Sequence, residues 1–451
     1  MSSRLPQEGS RINREKTVDF RFNGKNLKGF DGDTVASALL ANNELFVARS
    51  FKYHRPRGIF SAGEEEPNAL MGIGEGPFFE PNIRATEVKL KQNINVESQN
   101  HWPTLKFDFL SINNLFSRFF AAGFYYKTFM WPRAAWKYLF EPMIRRASGL
   151  GNAPREYDEE HYEHIYHHTD VLIIGGGLAG ITAAKALRDR GLSIMLCEKD
   201  CVMGGRYLED CKLGNQERYK KLHKSSMEIL KKSKDISVKL NTTVTGIFDH
   251  GFILAYEEDQ NNTASRKALW KIRAKTIILC TGAIERPLVF PDNDLPGIML
   301  AISVRDYLQK YGVLLGDRLV LITNNDYAYK TVIEFKRRGI DIPVVLDARA
   351  SSDNPIIKEA ESLGIRILFG KCIGKVEGRR KVSAIGICSV NGEGTIEELI
   401  PCNAIAVSGG WTPNVNLWSH CGGKLLWDGE CGFYKPDPEN TPIGKEGETN
   451  M

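Results

Sequence analysis

Three glycines with the spacing G-x-G-x-x-G are the residues of this sequence best suited to bind a charged ligand. Gly175, Gly177 and Gly180 follow the apolar run at residues 171–174, and a helical stretch comes next. In such a bend the first glycine permits a tight turn, the second lets a diphosphate approach the backbone, and the third lets helix and strand pack closely. Free N–H groups at the helix start attract the phosphates. The pattern predicts a dinucleotide-binding site.

Glu198 is the acid that would select among dinucleotides. It lies at the end of the next apolar strand, in "LSIMLCEKD", 23 residues after Gly175, near the roughly 20 expected for a carboxylate that binds ribose hydroxyls. Such an acid pairs with a free 2′-hydroxyl and repels a 2′-phosphate. We therefore expect FAD, NAD or another unphosphorylated adenosine ligand rather than NADP.

The elements that must position these residues indicate an α/β fold. Gly204, Gly205 and Arg206 follow Glu198 closely, and a strand at residues 276–279 leads into "CTGA". This order resembles the first nucleotide domain of flavoproteins that contain two Rossmann-like dinucleotide-binding domains. The stretch "FPDNDLPGIML" resembles the crossover to the second such domain.

The second domain has the right order of elements but lacks a glycine bend. Its strand, turn, helix and strand lead to an acid, Asp347, yet the turn at residues 324–329 contains no glycine. Side chains there would crowd a pyrophosphate, so we interpret it as a structural copy without a nucleotide. The stretch "CNAIAVSGGWTPNVNLW" resembles the strand that returns to the first domain.

Composition and cysteine content exclude several classes of protein. The chain has 451 residues, 42% hydrophobic and 25% charged, with a net charge of +5, which favours neither nucleic acid nor a membrane surface as partner. Nine cysteines, none before Cys197, form no Cys-x-x-Cys pair, and Cys211 stands alone after the Gly204–Gly205 bend. A disulfide-reductase function lacks its redox pair. We expect reduced thiols, no signal peptide, no membrane span and a cytoplasmic protein.

The region before the glycine bend predicts a small α+β unit and an aromatic connector. A strand at residues 17–22, a turn at Asn23 and Gly24, a helix capped by Asp33 and a strand in "IRATEVKL" make up the first. Aromatic residues crowd positions 101–148, where helices either pack against neighbouring domains or form a subunit interface.

Four histidines in "REYDEEHYEHIYHHTD" could gather imidazoles for a metal on one helix face. They are His161, His164, His167 and His168. The stretch is acidic and leads into a strand, so we interpret it as a solvated linker and assign no metal.

Several motifs together resemble the α subunits of heterotetrameric sarcosine oxidases. They are "VARSFKYHRPRGIFSAGEEEPNALMGIGEG", "GLGNAP", "DVLIIGGGLAGITAAKAL", "TIILCTGAIERPLVFPDNDLPGIM", "TNNDYAY" and "AIAVSGGWTPNVNLWSHCGGKLLWD". The resemblance covers about residues 15–430, in the family's order. Amine- and opine-oxidising complexes, including a dye-linked proline dehydrogenase, share these motifs more loosely.

The resemblance implies a polypeptide that holds NAD where relatives hold FAD, without catalytic residues of its own. Amine oxidation would take place on FAD in a β subunit, with FMN at the α/β interface, in a complex that also contains γ and δ subunits. The implied ligand contacts are Gly175, Gly177, Ala179, Gly180, Glu198, Lys199, Gly205, Arg206, Val244, Thr281 and Gly282, with Val244 stacked near the adenine.

The N-terminal unit resembles the ferredoxin-type [2Fe–2S] domain found at this place in several relatives. Such clusters need four thiolates, and the corresponding stretch "RSFKYHRPRGIFSAG" contains no cysteine. We expect a β-grasp shell that holds no iron–sulfur cluster. Its basic loop, formed by Arg49, Lys52, His54, Arg55 and Arg57, is either a solvated surface or part of a wall facing a partner's cofactor, and we favour surface or interface packing.

Family α subunits continue into a folate-binding domain, whereas this sequence ends in the polar stretch "FYKPDPENTPIGKEGETNM". We expect a C-terminally truncated or split α subunit. The expected parts are a disordered N-terminus (1–14), the β-grasp unit (15–98), the aromatic connector (99–168), the dinucleotide domain (169–300 and 400–432), the degenerate second domain (301–399) and a disordered tail (433–451).

Two functions from different classes follow from these observations. The first is a non-catalytic, NAD-holding part of a sarcosine oxidase-type complex that supports oxidative demethylation of an N-methyl amine. The alternative is a free-standing FAD-dependent NADH oxidoreductase, and a third possibility is an opine- or proline-oxidising complex. Visible absorbance separates the first two, because FAD is yellow and NAD is colourless.

Overall fold

The computed structural model describes residues 3–119, 123, 129, 131–159, 162–210, 224–228, 230, 232–258 and 267–442. The chain divides into two compact units, and each is assembled from two separate stretches. One unit comprises Met1–Asp158 and Glu285–Gly410, and the other comprises Glu159–Ile284 and Trp411–Met451. The polypeptide therefore passes from one unit to the other three times.

The N-terminal stretch forms a five-stranded sheet with one buried helix. Its elements are β1 (Asn13–Phe22), β2 (Lys25–Asp31), α1 (Val35–Ala41), β3 (Ala48–Arg49), β4 (Pro56–Arg57), β5 (Leu70–Ile73), β6 (Glu80–Arg84) and β7 (Asn95–Ser98). The strand order is β2-β1-β7-β5-β6, in which β1 and β7 are parallel. Every side chain of α1 is buried because the helix is apolar all round.

The first turn of this sheet agrees with the sequence prediction, whereas the helix cap and the length of one strand differ from it. Asn23 and Gly24 both have positive φ, 49° and 77°, as a tight hairpin requires. Helix α1 is capped by Thr34 and not by Asp33, because Thr34 and Ser37 form a capping box. The predicted strand in "IRATEVKL" continues only to Arg84 as β6.

Residues 3–14 are ordered, which contradicts the expected disorder of the N-terminus. Arg4 donates to the carbonyl of Tyr311 at 2.7 Å and to Asp33 at 2.6 Å. The amides of Leu5 and Ser10 donate to the carbonyls of Gly312 and Gln309. Polar residues near a chain end thus satisfy carbonyls at the end of a helix, a role that composition alone does not reveal.

The described residues of the connector form short helical pieces. They are the 3-10 helices Phe109–Asn114 and Ser117–Phe119, helix α2 (Arg133–Ala135), the π-helix Trp136–Phe140 and helix α3 (Glu141–Ala147). Phe109 contacts both Trp102 and Phe107, and all three are more than half exposed, so they do not pack into a core. Phe120, Phe124, Tyr125 and Tyr126, which the prediction also included, lie outside the described residues.

The unit that begins at Glu159 contains a six-stranded sheet. Its elements are β8 (Tyr162–Ile174), α4 (Leu178–Leu187), β9 (Ile194–Cys197), α5 (Arg206–Asp210), β10 (Ile236–Lys239), β11 (Thr242–Phe248), β12 (Phe252–Glu258) and β13 (Lys267–Leu279). The order is β10-β9-β8-β13-β12-β11. Strands β10, β9, β8 and β13 are parallel, and β11, β12 and β13 form an antiparallel meander. Because parallel strands end at one edge, the loops after β8, β9 and β13 meet there.

The histidine-rich stretch is part of strand β8 and not a solvated linker. Residues 162–168 pair in register with the first half of β13. His164 and His168 point to an exposed face, while His167 lies on the opposite face near Trp270. The alternation of polar and bulky residues in this stretch matches a strand exposed on one face. His161 lies outside the described residues.

The stretch after residue 283 forms a second parallel sheet and a small antiparallel one. Its elements are β14 (Ala283–Glu285), β15 (Ile298–Leu300), α6 (Ala301–Tyr311), β16 (Leu319–Thr323), α7 (Tyr329–Arg337), β17 (Val345–Asp347), α8 (Pro355–Ser362), β18 (Ile367–Phe369), β19 (Lys371–Gly378), β20 (Val382–Ser389), β21 (Glu398–Pro401) and β22 (Ala404–Ser408). The parallel sheet has the order β15-β22-β16-β17-β18, and β19-β20-β21 are antiparallel.

Strand β22 belongs to the second sheet, although the sequence predicted a return to the first dinucleotide domain at residue 400. It lies between β15 and β16, parallel to both, and all five of its residues are buried. The chain passes to the other unit only after Gly410. An apolar strand before two glycines carries no information about which parallel sheet it joins.

The last described elements are β23 (Trp411–Pro413), α9 (Asn416–His420), β24 (Leu425–Asp428) and β25 (Phe433–Pro436). Strands β24 and β25 form a hairpin, with Trp427 opposite Tyr434. The predicted disordered tail is therefore wrong for residues 433–436. Residues 443–451 lie outside the described part.

The β-grasp unit and the second parallel sheet share one hydrophobic core. Phe20, Leu39 and Met71 from the first are buried in the same cluster as Leu308 and Tyr329 from the second. Backbone hydrogen bonds also join the two, as the Leu300 amide donates to the carbonyl of Phe60. This junction lies within a single compact unit.

Candidate dinucleotide-binding site

The bend after β8 needs glycine at two positions. Gly175 has φ +105°, and a Cβ there would lie 2.3 Å from the carbonyl oxygen of Cys280. A Cβ on Gly180 would lie 1.9 Å from the carbonyl oxygen of Gly175. The turn and the start of α4 are therefore as close as the fingerprint requires.

Gly177 faces open space at the amino end of helix α4. No atom outside its chain neighbours lies within 4 Å of a Cβ built on it, and no side chain caps the helix. Leu178 and Ala179, the first helical residues, are exposed. The helix end thus presents backbone N–H groups and a partial positive charge to any anion that enters.

The Gly204–Gly205 turn forms the second wall of this opening. The Gly204 amide donates to the carbonyl of Gly176 at 2.8 Å. A Cβ on Gly205 would lie 3.2 Å from the Cα of Gly177. Two backbone segments without side chains therefore approach each other at the place where a diphosphate would lie.

Glu198 is buried at the end of β9, with each carboxylate oxygen held by a backbone amide. Oε2 accepts from the Gly176 amide at 2.6 Å and Oε1 from the Asp200 amide at 2.8 Å. Burial raises the pKa of Glu198, and the two amides and Lys199 oppose that rise. Each oxygen retains a lone pair, so the carboxylate can also accept from ribose hydroxyls.

The loop after β13 supplies the third side of the site. The Cys280 amide donates to the carbonyl of Ile174 at 2.8 Å, which fixes this loop against the glycine bend. Gly282 has φ +74° and no atom within 4 Å of a Cβ position. Thr281 Oγ1 donates to the carbonyl of Asn414 at 2.7 Å, and the Asn414 amide donates to the carbonyl of Gly282 at 2.9 Å.

The other predicted contact residues lie around this edge. Lys199 and Arg206 are exposed, one after β9 and the other at the start of α5. Val244 is half-buried and packs against the core cluster that contains Leu172 and Cys197. Two residues before it, the Thr242 amide donates to the carbonyl of Glu198 at 2.9 Å. The start of β11 is thus tied to the acid, while the stacking role of Val244 stays a prediction.

Sequence reasoning missed Asp200 and Asn414, which position the site through backbone groups. Asp200 adds a negative charge that raises the pKa of Glu198 further. Asn414 lies in "GWTPNVN", a stretch quoted only for its chain turn. Backbone-mediated contacts leave no signal in residue type, so no pattern could have identified them.

The residues present fit one adenosine dinucleotide. A glycine bend with an uncapped helix end, a second glycine turn and a buried acid are the three features that such a ligand requires. Among the residues described, no group of three or more His, Cys, Asp or Glu side chains is arranged to hold a metal ion. No helix in the described ranges is long and apolar enough to cross a membrane.

The corresponding turn of the second sheet is occupied by its own side chains. Asp347 Oδ2 accepts from Tyr329 Oη at 2.9 Å and from Arg349 at 2.7 Å, and its Oδ1 accepts from the Arg349 Nε at 3.0 Å. Arg349 also pairs with Asp326, in the turn itself, at 2.7 Å. The acid that would bind a ribose is thus already satisfied within the fold.

Two family models match the chain. The family described as "Pyridine nucleotide-disulphide oxidoreductase" matches residues 169–433, and that described as "2Fe-2S iron-sulfur cluster binding domain" matches residues 15–101. The predicted combination of a ferredoxin-like β-grasp unit with a two-dinucleotide-domain fold is therefore confirmed.

Curated relatives agree with the motif resemblance. The chain is 39% identical over 435 residues to the α subunit of the sarcosine oxidase of Rhizobium meliloti (strain 1021), across 95% of this chain and 43% of that protein. It is 26% identical over 294 residues to one subunit of the opine oxidase of Rhizobium meliloti, across 60% of this chain and 55% of that one. The chain thus spans less than half the length of the sarcosine oxidase relative, and the resemblance predicted from the motifs is confirmed.

A solved structure has the same fold over nearly the whole chain. The L-proline dehydrogenase from P. horikoshii superimposes with a TM-score of 0.58 at 23% identity, covering 96% of this chain and 68% of the other. At this identity the likeness concerns the fold alone.

Proposed function

The chain belongs to the pyridine nucleotide-disulphide oxidoreductase family, and on that premise we propose that it holds one dinucleotide without a 2′-phosphate, NAD in preference to FAD. In this proposal it is the α-subunit component of a sarcosine oxidase-type complex. The observation that carries the proposal is the opening between Gly177 and Gly205 beside the buried Glu198. The preference for NAD comes from the resemblance to sarcosine oxidase α subunits.

The bound nucleotide has an architectural role in this proposal. Gly175, Gly177, Ala179 and Gly180 hold the diphosphate at the start of α4, and Glu198 accepts from the ribose hydroxyls. Lys199, Gly205, Arg206, Val244, Thr281 and Gly282 complete the surroundings. When bound, NAD could in principle carry hydride, yet this chain contributes only binding and orientation. Oxidative demethylation of the N-methyl amine would take place on flavins, one in a β subunit, the other at the α/β interface, in a complex with γ and δ subunits.

The N-terminal unit acts as structure and holds no iron–sulfur cluster in this proposal. No cysteine occurs before residue 197, whereas such clusters need thiolate ligands. The loop that corresponds to the cluster loop is held by polar contacts. Asp294 forms ion pairs with Arg55 and Arg57, and His54 Nδ1 shares a hydrogen bond with Asp108 Oδ2 at 2.7 Å. Charged side chains thus fix a segment that a cluster would otherwise organise.

The free-standing FAD-dependent NADH oxidoreductase is the alternative from a different class. The family match favours an oxidoreductase, but a reductase of this kind needs a second nucleotide site for NADH. The ion pairs around Asp347 close that turn with protein side chains. An opine- or proline-oxidising complex differs from the first proposal in its partner and its amine, which copurification would identify.

The decisive experiment is to identify the ligand that the purified chain releases on heating. Mass spectrometry should detect NAD, and the protein solution should be colourless. A yellow solution that releases FAD and oxidises NADH would establish the alternative. The chain alone should release no peroxide from sarcosine, while the complex assembled with its partner subunits should do so.

A further inference from the structure

Two free thiols face each other across the small antiparallel sheet of the second domain. Cys372 on β19 lies directly opposite Cys388 on β20, and their Sγ atoms are 3.3 Å apart. Cys388 is buried and Cys372 is half-buried. The nucleotide proposal makes no use of either residue, since both lie in the other compact unit.

The backbone around the pair suits a covalent link between the two sulfurs. The Val390 amide donates to the carbonyl of Gly370, and hydrogen-bonded pairs alternate along an antiparallel ladder. Cys372 and Cys388 therefore occupy a hydrogen-bonded pair, in which the Cα atoms are about 5.5 Å apart. Disulfides join Cα atoms separated by roughly 4.4–6.8 Å, and they also need Cβ atoms about 3.5–4.5 Å apart, closer than opposite side chains of a hydrogen-bonded pair lie. The sulfurs can therefore close in this register after the two Cβ atoms move together by about 1 Å.

Small residues and one aliphatic side chain surround the thiols. A Cβ on Gly374 would lie 2.8 Å from the Cys388 sulfur and 2.8 Å from Ile396 Cδ1. A Cβ on Gly386 would lie 3.0 Å from Ile396 Cγ2. Ile396 thus covers the sheet face beside Cys388, and 36% of its own surface is exposed. A reagent that approaches Cys388 from this face would meet the Ile396 side chain first.

We propose that Cys372 and Cys388 form a redox-active pair that closes to a disulfide when a peroxide oxidises it. The more exposed Cys372 sulfur, as thiolate, attacks one peroxide oxygen and breaks the O–O bond, leaving a sulfenic acid. The hydroxide released takes up the proton that the thiol had lost and becomes water. The Cys388 sulfur then attacks the Cys372 sulfur and displaces hydroxide, which takes the remaining thiol proton as water. Two thiols lose two electrons, and one hydrogen peroxide becomes two water molecules.

The rate should depend strongly on pH. Burial and the neighbouring Cys388 raise the pKa of Cys372 to about 11. Below that value the thiolate fraction grows about tenfold for each pH unit, because the thiolate is the attacking species. Closure should therefore be slow near neutrality and roughly 100-fold faster two pH units higher.

The test is to treat the purified full chain with hydrogen peroxide, block remaining thiols and map the peptides after trypsin. Trypsin separates the two cysteines at Lys375 and Lys381, and a second digestion after glutamate, at Glu393 and Glu398, separates Cys388 from Cys402 and Cys421. We expect one linked pair containing Cys372 and Cys388, two fewer free thiols than the nine of the sequence, and full reversal by dithiothreitol. Alkylation of both thiols after treatment, or sulfinic acid on Cys372 beside a free Cys388, would overturn the proposal.

Matched variants separate this pair from general thiol oxidation. Cys372→Ser should abolish the link, whereas Cys402→Ser, which removes a buried thiol of the same unit, should leave it intact. Ile396→Ala should accelerate closure several-fold, and Val390→Ala, at an exposed site just after β20, should not. Equal rates for the last two variants would contradict the covering role of Ile396. The wild-type peptide map decides the main question even if a variant fails to fold.

Discussion

At the scale of single residues, the proposed site relies on positions where a missing side chain would leave room for the ligand. Gly177 and Gly205 leave a backbone-lined opening, and Gly282 faces open space. Glu198 is the acidic residue among the predicted contacts, and its carboxylate accepts hydrogen bonds from the amides of Gly176 and Asp200, which fix its position. Glycine spacing and the acid after a strand predict Gly177 and Glu198 as contacts, because both patterns are tied to ligand geometry. The resemblance to sarcosine oxidase α subunits implies Gly205 and Gly282, and all four contacts stay predictions.

Gly177→Val should abolish nucleotide retention without unfolding the domain. The branched side chain would occupy the space at the helix start, where no protein atom now lies within 4 Å of the Cβ position. Ala186→Val on the exposed face of the same helix is the matched control and should retain ligand. Mass spectrometry of heat-released ligand, with circular dichroism for folding, makes the comparison. Equal retention in both variants would refute the assignment of this site.

Nucleotide retention should weaken as the pH falls through the pKa of Glu198. Burial raises that pKa above its ordinary value, and the protonated acid has one acceptor fewer for the ribose. Stability of the ligand-free chain follows the opposite sense. Because the folded pKa is raised, the contribution of Glu198 is fully present below the ordinary pKa and is lost as pH rises through the raised one.

Titrating ligand retention against pH in the wild type and in Glu198→Gln checks this expectation. The wild type should lose ligand on acidification. The glutamine variant should bind about 10-fold more weakly than the wild type at neutral pH, the cost of one charge-assisted hydrogen bond, and should show no further loss on acidification. A pH profile that is identical in the two proteins would show that Glu198 is not the titrating group.

At the scale of elements, the β-grasp loop shows how ion pairs fix a segment that contains no cysteine. Arg49 and His54 are buried beside Asp108, and Arg57 is held by Asp294. Burial and the neighbouring Arg55 lower the pKa of Arg57 to about 10, so it stays charged at neutral pH. The sequence analysis favoured surface or interface packing for this loop, whereas the side chains of Arg49 and His54 are buried within the unit itself. Their acidic partner lies more than 50 residues away, and sequence proximity could not reveal it.

Asp108→Ala should destabilise the chain by about 3–5 kcal/mol, because it leaves the buried Arg49 guanidinium without its counter-charge and His54 Nδ1 without its hydrogen-bond partner. The variant also leaves the Trp102 amide, 2.9 Å from the carboxylate, without its acceptor. Asp292→Asn removes the charge of an exposed partner of Arg55, keeps a residue type that tolerates the φ of 57° at this position, and should cost about 0.5 kcal/mol. Denaturant midpoints measure both changes. Similar losses in the two variants would mean that burial of the network contributes nothing.

The sequence predicted whether a stretch is a helix or a strand better than it predicted which sheet a strand joins. The strands and helix around the glycine bend follow from apolar runs and small residues, as β8, α4 and β9. The assignment of β22 failed because a buried parallel strand is apolar on both faces in whichever sheet it lies. The prediction for the histidine stretch was wrong because its polar composition hid the alternation of exposed and half-buried residues that is typical of a strand.

At the scale of the whole molecule, the β-grasp unit and the second parallel sheet form one folding unit. Tyr307 Oη donates to the carbonyl of Ser61 at 2.9 Å, and Ser303 Oγ accepts from the Ala62 amide at 3.0 Å. Buried apolar residues from both halves lie in one cluster. The sequence predicted two separate domains here because domain boundaries follow turns and composition, while shared cores form between distant stretches.

A chain that begins at residue 99 should therefore fail to fold in its second domain. Deletion exposes Leu308, Tyr311 and their buried neighbours, and such apolar patches aggregate. Size-exclusion chromatography and binding of a hydrophobic dye would report the loss. Co-expression of residues 1–98 as a separate chain should restore a soluble complex. A monodisperse, cooperatively unfolding product without the first 98 residues would disprove the shared unit.

The core that the β-grasp unit shares with the second parallel sheet limits how the gene can change. A lineage can replace the residues of a redox centre one at a time, but it cannot delete the gene segment that encodes the surrounding shell without exposing the interior of its neighbour. When two parts of a chain share one hydrophobic core, selection for the stability of one part also retains the other. The presence of the β-grasp unit in a chain is therefore no evidence that the unit has kept a redox function.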